Sequence, residues 1–148
     1  MTHDVLTLTP RARLADALEL MDRERIRHVL VVDPKGRLSG IVSDRDMKRV
    51  FAEPATRGSS LAKVLTRPLS SIMTRNVIRL EPGATLMEAA EVMCREKVSA
   101  LPVCDGDEVL GIVTSEDVLW AYAELDHEED EEGEDEEIDR TVPPEAAA

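Results

Sequence analysis

Apolar positions recur in the same two rhythms in each half of the chain. Leu14, Ala17, Leu18 and Met21 stand three and four apart, as one buried helical stripe requires, and Leu86, Ala89, Ala90 and Met93 repeat the spacing. A continuous apolar run follows each stripe, at residues 29–32 and 101–104, of the kind that a strand covered on at least one face shows. Tight-reversal chemistry comes next, Asp33-Pro34-Lys35-Gly36 and Asp105-Gly106-Asp107, so residues 38–42 and 109–113 are predicted to return as partner strands. A short extended segment stopped by proline opens each half, residues 5–8 before Pro10 and 77–80 before Pro82, and a second helix starting near Asp44 or Ser115 closes it. The predicted order is β-α-β-β-α, twice, a mixed α/β (α+β) protein.

The two halves are copies. Gly40-Ile41-Val42-Ser43-Asp44-Arg45-Asp46 recurs as Gly111-Ile112-Val113-Thr114-Ser115-Glu116-Asp117, and Pro10, Leu14, Ala17, Met21 and Ile26 find Pro82, Leu86, Ala89, Met93 and Val98 at a constant offset of 72. One residue is lost in the turn, after which the offset is 71. Phe51 and Tyr122, two of only three aromatic residues, fall on equivalent positions. Duplication on this scale means one supersecondary unit that needs its neighbour to cover its apolar face, so the copies are expected to form one domain over residues 1–123: units 1–52 and 70–123, joined by a connector 53–69. Residues 54–58 of the connector are expected to be a loop, and Leu61, Val64 and Leu65 a short helix that Pro68 ends. Apolar residues at helical spacing predict an ordered connector, since a free linker is built of Gly, Ser or Pro.

With 148 residues and 43% apolar content the chain suits a single core. The net charge of −13 belongs almost wholly to residues 124–148, which hold 13 acids and one Arg, whereas residues 1–123 carry 18 acids against 17 bases. Ten of the twelve residues from 128 to 139 are acidic, so residues 124–148 are expected to be a solvated, disordered tail, with contact to a basic partner as the sharper alternative. Nucleic-acid binding, whose natural place would be Arg23, Arg25, Arg27, Arg45, Lys48 and Arg49, is disfavoured by the near-neutral balance of the rest. No run approaches the ~20 apolar residues of a membrane span, and Met1-Thr2-His3-Asp4 lacks a signal-peptide pattern, so a cytoplasmic protein is expected. Cys94 and Cys104 have no CxxC partner or nearby His and are expected as buried, reduced thiols. No Cys/His or Ser/His/Asp arrangement, no glycine-rich phosphate loop with its lysine and no metal-ligand spacing is present, so neither catalysis nor a metal is expected.

The repeated Ser/Thr-x-x-Asp at a strand-to-helix junction has two readings. It forms a capping box, the hydroxyl accepting from a helix amide while the acid reaches back. It also suits a ligand: helix-end amides and a hydroxyl hold phosphate, and a carboxylate one turn on accepts two hydrogen bonds from a ribose diol. Both copies keep Asp, shorter than the Glu or Gln a capping box prefers, while the two residues between change from Asp-Arg to Ser-Glu.

The ordered set of phrases, residues 26–33 (Ile-Arg-His-Val-Leu-Val-Val-Asp), Leu101-Pro102-Val103, Ser71-Ile72-Met73-Thr74 and the repeated Gly-Ile-Val-Ser/Thr-x-x-Asp, resembles a tandem pair of cystathionine-β-synthase (CBS) domains, a Bateman module, over residues 2–123. The resemblance implies two units related by pseudo-twofold symmetry with adenosine-type ligands, AMP, ADP or ATP and also S-adenosylmethionine, in clefts between them. By the same resemblance Ser43 and Asp46 match the phosphate-side hydroxyl and ribose-binding acid of one cleft, with Val5, Leu6, His28 and Val29 lining its base pocket. Thr114 and Asp117 match those of the other, lined by Asn76, Val77, Ile78, Ala100 and Leu101. Arg27, His28, Arg45 and Lys48 stand near the first motif where the second has Ser99, Ala100, Glu116 and Val118, so a charged phosphate tail should prefer the first, with Arg45 in contact. Two departures from the family pattern are Arg79 in place of the Thr7 hydroxyl, offered as a phosphate contact, and Leu30 in place of the proline at Pro102. The resemblance also implies a homodimer, assembled through the helices holding residues 14–21 and 86–93 or those ending at Phe51 and Tyr122, and a protein partner or second copy to receive the signal. The alternative is an interaction module without ligand, acting through its dimer surface and acidic tail.

Overall fold

The computed structural model of the chain describes residues 5–132, with side-chain environments as far as residue 128. By its internal packing the chain divides into two units, Met1–Val118 and Leu119–Ala148. The first unit contains β1 (Thr7–Leu8), α1 (Leu14–Glu24), β2 (His28–Val32), β3 (Leu38–Ser43) and α2 (Asp44–Ala52). A connector of α3 (Pro54–Arg57), α4 (Leu61–Leu65) and a 3-10 turn (Leu69–Ser71) follows, then α5 (Leu86–Glu96), β4 (Ala100–Asp105) and β5 (Glu108–Thr114). Helix α6 (Ser115–Glu132) starts in the first unit and supplies the described part of the second.

Each repeat has an antiparallel hairpin with a matching irregularity, between Val31 and Val32 in one and between Val103 and Cys104 in the other. Its register sets His28 opposite Ser43 and Ala100 opposite Thr114, so the start of one strand meets the motif at the end of the next. In the first repeat β1 adds a parallel strand, Thr7 to Leu30 and Leu8 to Val31. The predicted opening strand of the second repeat shrinks to a bridge at Leu80, whose amide donates to the Pro102 carbonyl at 2.8 Å and whose carbonyl accepts from Cys104 at 2.9 Å. Pro102 has no N–H with which to extend that ladder toward Ile78.

The helical stripes face two cores. Leu14, Ala17, Leu20 and Met21 pack with Val29, Val31, Val42 and Met47, and Ala89 and Met93 pack with Leu80, Leu101, Val103 and Val113. The stripes differ at their first residue: Leu14 is fully buried, whereas its counterpart Leu86 is 39% exposed. The connector makes the difference, since Val64, Leu69 and Met73 enter the first core. Leu14 N donates to Arg67 O at 2.9 Å, Leu69 N to Ala12 O at 2.8 Å and Ser70 N to Pro10 O at 3.0 Å. Covering Leu14 and Leu69 completely contributes roughly 2 kcal/mol for each.

Residues 54–57, expected in a loop, form one helical turn that begins on Pro54, where the missing amide is harmless. After the 3-10 turn, Thr74 and Ile41 exchange reciprocal backbone bonds at 3.0 Å, which draws the chain so close that only glycine fits at position 40. Helices α1 and α5 both end on a left-handed residue that is not glycine, Arg25 (φ 53°) and Lys97 (φ 55°).

Helix α6 runs through residues 124–132, inside the stretch expected to be disordered. Ala, Leu and Glu are strong helix formers, and elongating a helix already nucleated is far easier than starting one. Leu119, Trp120, Tyr122 and Leu125 on this helix are 60–72% exposed. Residues 1–4 and 133–148, and the expectations that concern them, lie outside the described residues.

Candidate ligand-binding cleft

A cavity of about 780 Å³ in the first unit is lined by both copies of the motif. The first repeat contributes Val5, Leu6, His28, Ser43, Arg45 and Asp46, and the second contributes Asn76, Val77, Ile78, Ala100, Leu101, Thr114 and Asp117. Val29 is a correction to the sequence reading: it is fully buried in the first core and does not line the cavity. Alternation along β2 turns His28 and Leu30 to the cavity and Val29 and Val31 to the helices. Leu30 lines the cavity with Ile41 and Ile112 of the partner strands, whereas in β4 the neighbours Ala100 and Leu101 both line it. Arg79 is the second correction, because its guanidinium reaches Gly106 O and Asp107 Oδ1, both at 3.1 Å, and is not part of the cavity wall.

The two motifs have nearly the same geometry. Asp46 Oδ2 accepts from Ser43 N at 2.8 Å and from Ser43 Oγ at 3.0 Å, while Ser43 Oγ accepts from Asp46 N at 3.2 Å. Asp117 Oδ2 accepts from Thr114 N at 2.8 Å and from Thr114 Oγ1 at 3.2 Å, and Asp117 N donates to Thr114 Oγ1 at 3.4 Å. Each is a closed capping box, and each spends one carboxylate oxygen on it. Among the described residues no hydrogen bond engages Oδ1 of either Asp. Both acids line the cavity, so capping and recognition of a diol are compatible in one conformation.

The mouth of the cavity joins the repeats through polar contacts. Arg27 Nη2 meets Glu116 Oε1 at 3.2 Å, and Ser99 Oγ lies 3.2 Å from His28 Nε2. Glu116, the acid that stands at the second motif where the first has Arg45, thus pairs with Arg27 from across the cleft. Lys48 is 3.7 Å from Asp44. Arg25, Arg45, Arg49 and Lys97 also line the cavity and have no ion pair among the described residues. Burial pushes the His28 imidazole below its ordinary pKa; Asp44 and Asp46 oppose that shift, and Arg27 and Arg45 add to it. Arg25 and Lys97 were missed as cavity residues because their positions follow from left-handed helix ends, which their side-chain types do not announce.

Among the described residues no group of three or more His, Cys, Asp or Glu is placed to hold a metal ion, and no helix is long and apolar enough to cross a membrane. Both cysteines are free; Cys104 is buried as expected, whereas Cys94, expected to be buried, is exposed on α5.

The family model described as "CBS domain" matches residues 1–53 and 69–124. Arabinose 5-phosphate isomerase of Yersinia pestis is 33% identical over 118 residues, 80% of this chain and 34% of that protein. Inosine-5'-monophosphate dehydrogenase of Aquifex aeolicus is 32% identical over 121 residues, 80% of this chain and 23% of that protein. The chain thus spans about a third of the length of the first of these relatives and under a quarter of the second. Among solved structures, the CBS-domain containing protein ATU1752 of Agrobacterium tumefaciens superposes with a TM-score of 0.72 at 28% identity, over 81% of this chain and 90% of that one. The CBS domain pair of protein MJ0100, solved with 5-methylthioadenosine and S-adenosyl-L-methionine, gives a TM-score of 0.74 at 26% identity, covering 84% and 93%. CBSX2 in complex with AMP gives 0.72 at 26% identity, covering 85% and 94%.

Proposed function

The chain belongs to the CBS domain family, with two copies of the domain, and from that membership we propose that it is a regulatory module whose cavity binds an adenosine-containing ligand: AMP, ADP or ATP, with S-adenosylmethionine as the related alternative. The observation that carries this reading is the meeting of both Ser/Thr-x-x-Asp motifs in one cavity with an apolar wall, each with a carboxylate oxygen to spare. Val5, Leu6, Val77 and Ile78 offer adenine an apolar slot, Asp46 or Asp117 takes the ribose diol through Oδ1, and Ser43 or Thr114 with the helix amides faces phosphate. Arg45 then meets a di- or triphosphate. The complexes of two structural neighbours with AMP and with adenosyl compounds support the ligand class. That matching segments occur in proteins named for an isomerase and a dehydrogenase supports a regulatory rather than catalytic role, since two reactions do not share one active site. The module works in the cytoplasm over residues 1–123, as a homodimer or with a protein partner, and ligand shifts its conformational equilibrium by its differential affinity for the two states.

The closed capping boxes favour a second reading, in which the motif only starts a helix and the protein is an interaction module. Calorimetry and thermal shift with adenosine, AMP, ADP, ATP and S-adenosylmethionine separate the two. On the ligand reading, a compound at 100 times its dissociation constant stabilises the fold by roughly 2.7 kcal/mol, and Asp46→Ala or Asp117→Ala abolishes the response. Arg45→Glu weakens ATP more than adenosine. Silence across the panel for the unaltered protein favours the interaction module.

A further inference from the structure

A second cavity, of about 230 Å³, shares no lining residue with the first among the described residues, and those that line it come from the second repeat. Leu80, Leu86, Ala89, Val103, Leu110 and Val113 form its apolar surface. The duplication shows what such a surface accepts. In the first repeat the equivalent Leu14, Ala17, Val31 and Val42 are fully buried, and the connector covers that core with Val64, Leu69 and Ile72. In the second repeat Ala89, Val103 and Val113 stay buried, but Leu86 is 39% exposed, and Leu110, which stands where the first repeat has Ser39, is 36% exposed.

The backbone repeats the contrast independently. Pro10 O, Ala12 O and Leu14 N are bonded to Ser70 N, Leu69 N and Arg67 O at 3.0, 2.8 and 2.9 Å. At the counterparts Pro82, Ala84 and Leu86 no such bond exists among the described residues. Among the described residues the groove therefore leaves two acceptors and a donor unbonded, beside an apolar floor from which Leu86 and Leu110 are exposed, an arrangement that suits an incoming strand or turn.

Its rim differs in charge from that of the first repeat. Thr9, Arg11 and Arg13 become Glu81, Gly83 and Thr85, all three of which line the groove, so its rim has an acid and no base where the first repeat has two bases. The segment that covers the first repeat, residues 63–75, holds Lys63, Arg67 and Arg75 and no acid. Such a segment suits the second groove electrostatically as well as it suits the first in shape.

We infer that this groove docks a short segment of a partner polypeptide: a proline, then apolar residues spaced as Leu69, Ile72 and Met73, with basic residues on either side. A fluorescein-labelled synthetic peptide of residues 63–75, titrated against the full chain by anisotropy, is expected to bind saturably and more weakly as salt rises. Leu86→Glu and Leu110→Glu in the protein, or Leu69→Glu in the peptide, should each weaken binding roughly tenfold or more. Circular dichroism checks that each variant is folded, and the two protein variants, on different elements, guard against loss of either. No saturable binding, or binding indifferent to both groove variants, overturns the inference. So does a dimer that Leu86→Glu dissociates while the peptide fails to compete, which would assign the groove to a second copy of the chain.

Discussion

Replacing Gly40 by alanine is expected to lower stability by about 2–3 kcal/mol. A Cβ at this position lies 2.7 Å from Met73 Sδ, 2.9 Å from Met73 Cγ and 2.9 Å from the Thr74 carbonyl oxygen, distances that no real Cβ tolerates. The methionine can give way in part, because its three side-chain torsions are soft, although Met73 is only 8% exposed inside the first core. The carbonyl cannot. It accepts from Ile41 N at 3.0 Å while Thr74 N donates to Ile41 O at 3.0 Å, so moving it strains two hydrogen bonds worth about 1 kcal/mol each. Overpacking adds about 1–3 kcal/mol. Urea denaturation should show a lower midpoint with an unchanged slope, and the melting temperature should fall by roughly 10 °C. In a Met73→Ala background at least half of the loss should persist, since the carbonyl remains. A loss below about 0.5 kcal/mol would refute the reasoning, because the connector would then move without resistance.

Lys97→Gly should stabilise the fold by about 1 kcal/mol in chemical denaturation, since only glycine adopts a left-handed helix end without strain; Arg25→Gly should do the same while weakening an anionic ligand, and a destabilised Lys97→Gly would contradict the strain. Glu116→Ala releases Arg27 from an exposed ion pair, so calorimetry should find ATP bound roughly 3–10-fold more tightly, with stability changed by less than about 0.5 kcal/mol. His28 gives stability a defined pH dependence: its folded pKa is depressed, so the unfolded chain binds the extra proton, and its contribution is complete above about pH 6.5 and declines as the pH falls through that value. An NMR titration of the imidazole should place its pKa below the ordinary one, and a normal value would remove the effect.

The helices and hairpins were legible because period and turn chemistry are written twice, and each copy checked the other. The opening strand of the second repeat was not, since its loss depends on the single missing amide of Pro102 three-dimensionally opposite it. Among cavity residues, the motif acids were legible from their spacing, whereas Val29, carried over by resemblance, belongs to the core face of β2. The pairing of Arg27 with Glu116 joins positions 89 apart, and nothing in local sequence announces such a partner. Exposure of Leu86 was equally hidden, because it reflects what the connector covers on the other repeat rather than anything in its own helix.

The entry of Val64, Leu69 and Met73 into the first core also sets a timetable for synthesis. A nascent chain that has emerged only as far as α2 has every strand of its first sheet, yet Leu14 still lacks the residues that seal it. The first repeat can close only after residue 73 has cleared the ribosomal exit tunnel, by which time the second repeat has begun to be made.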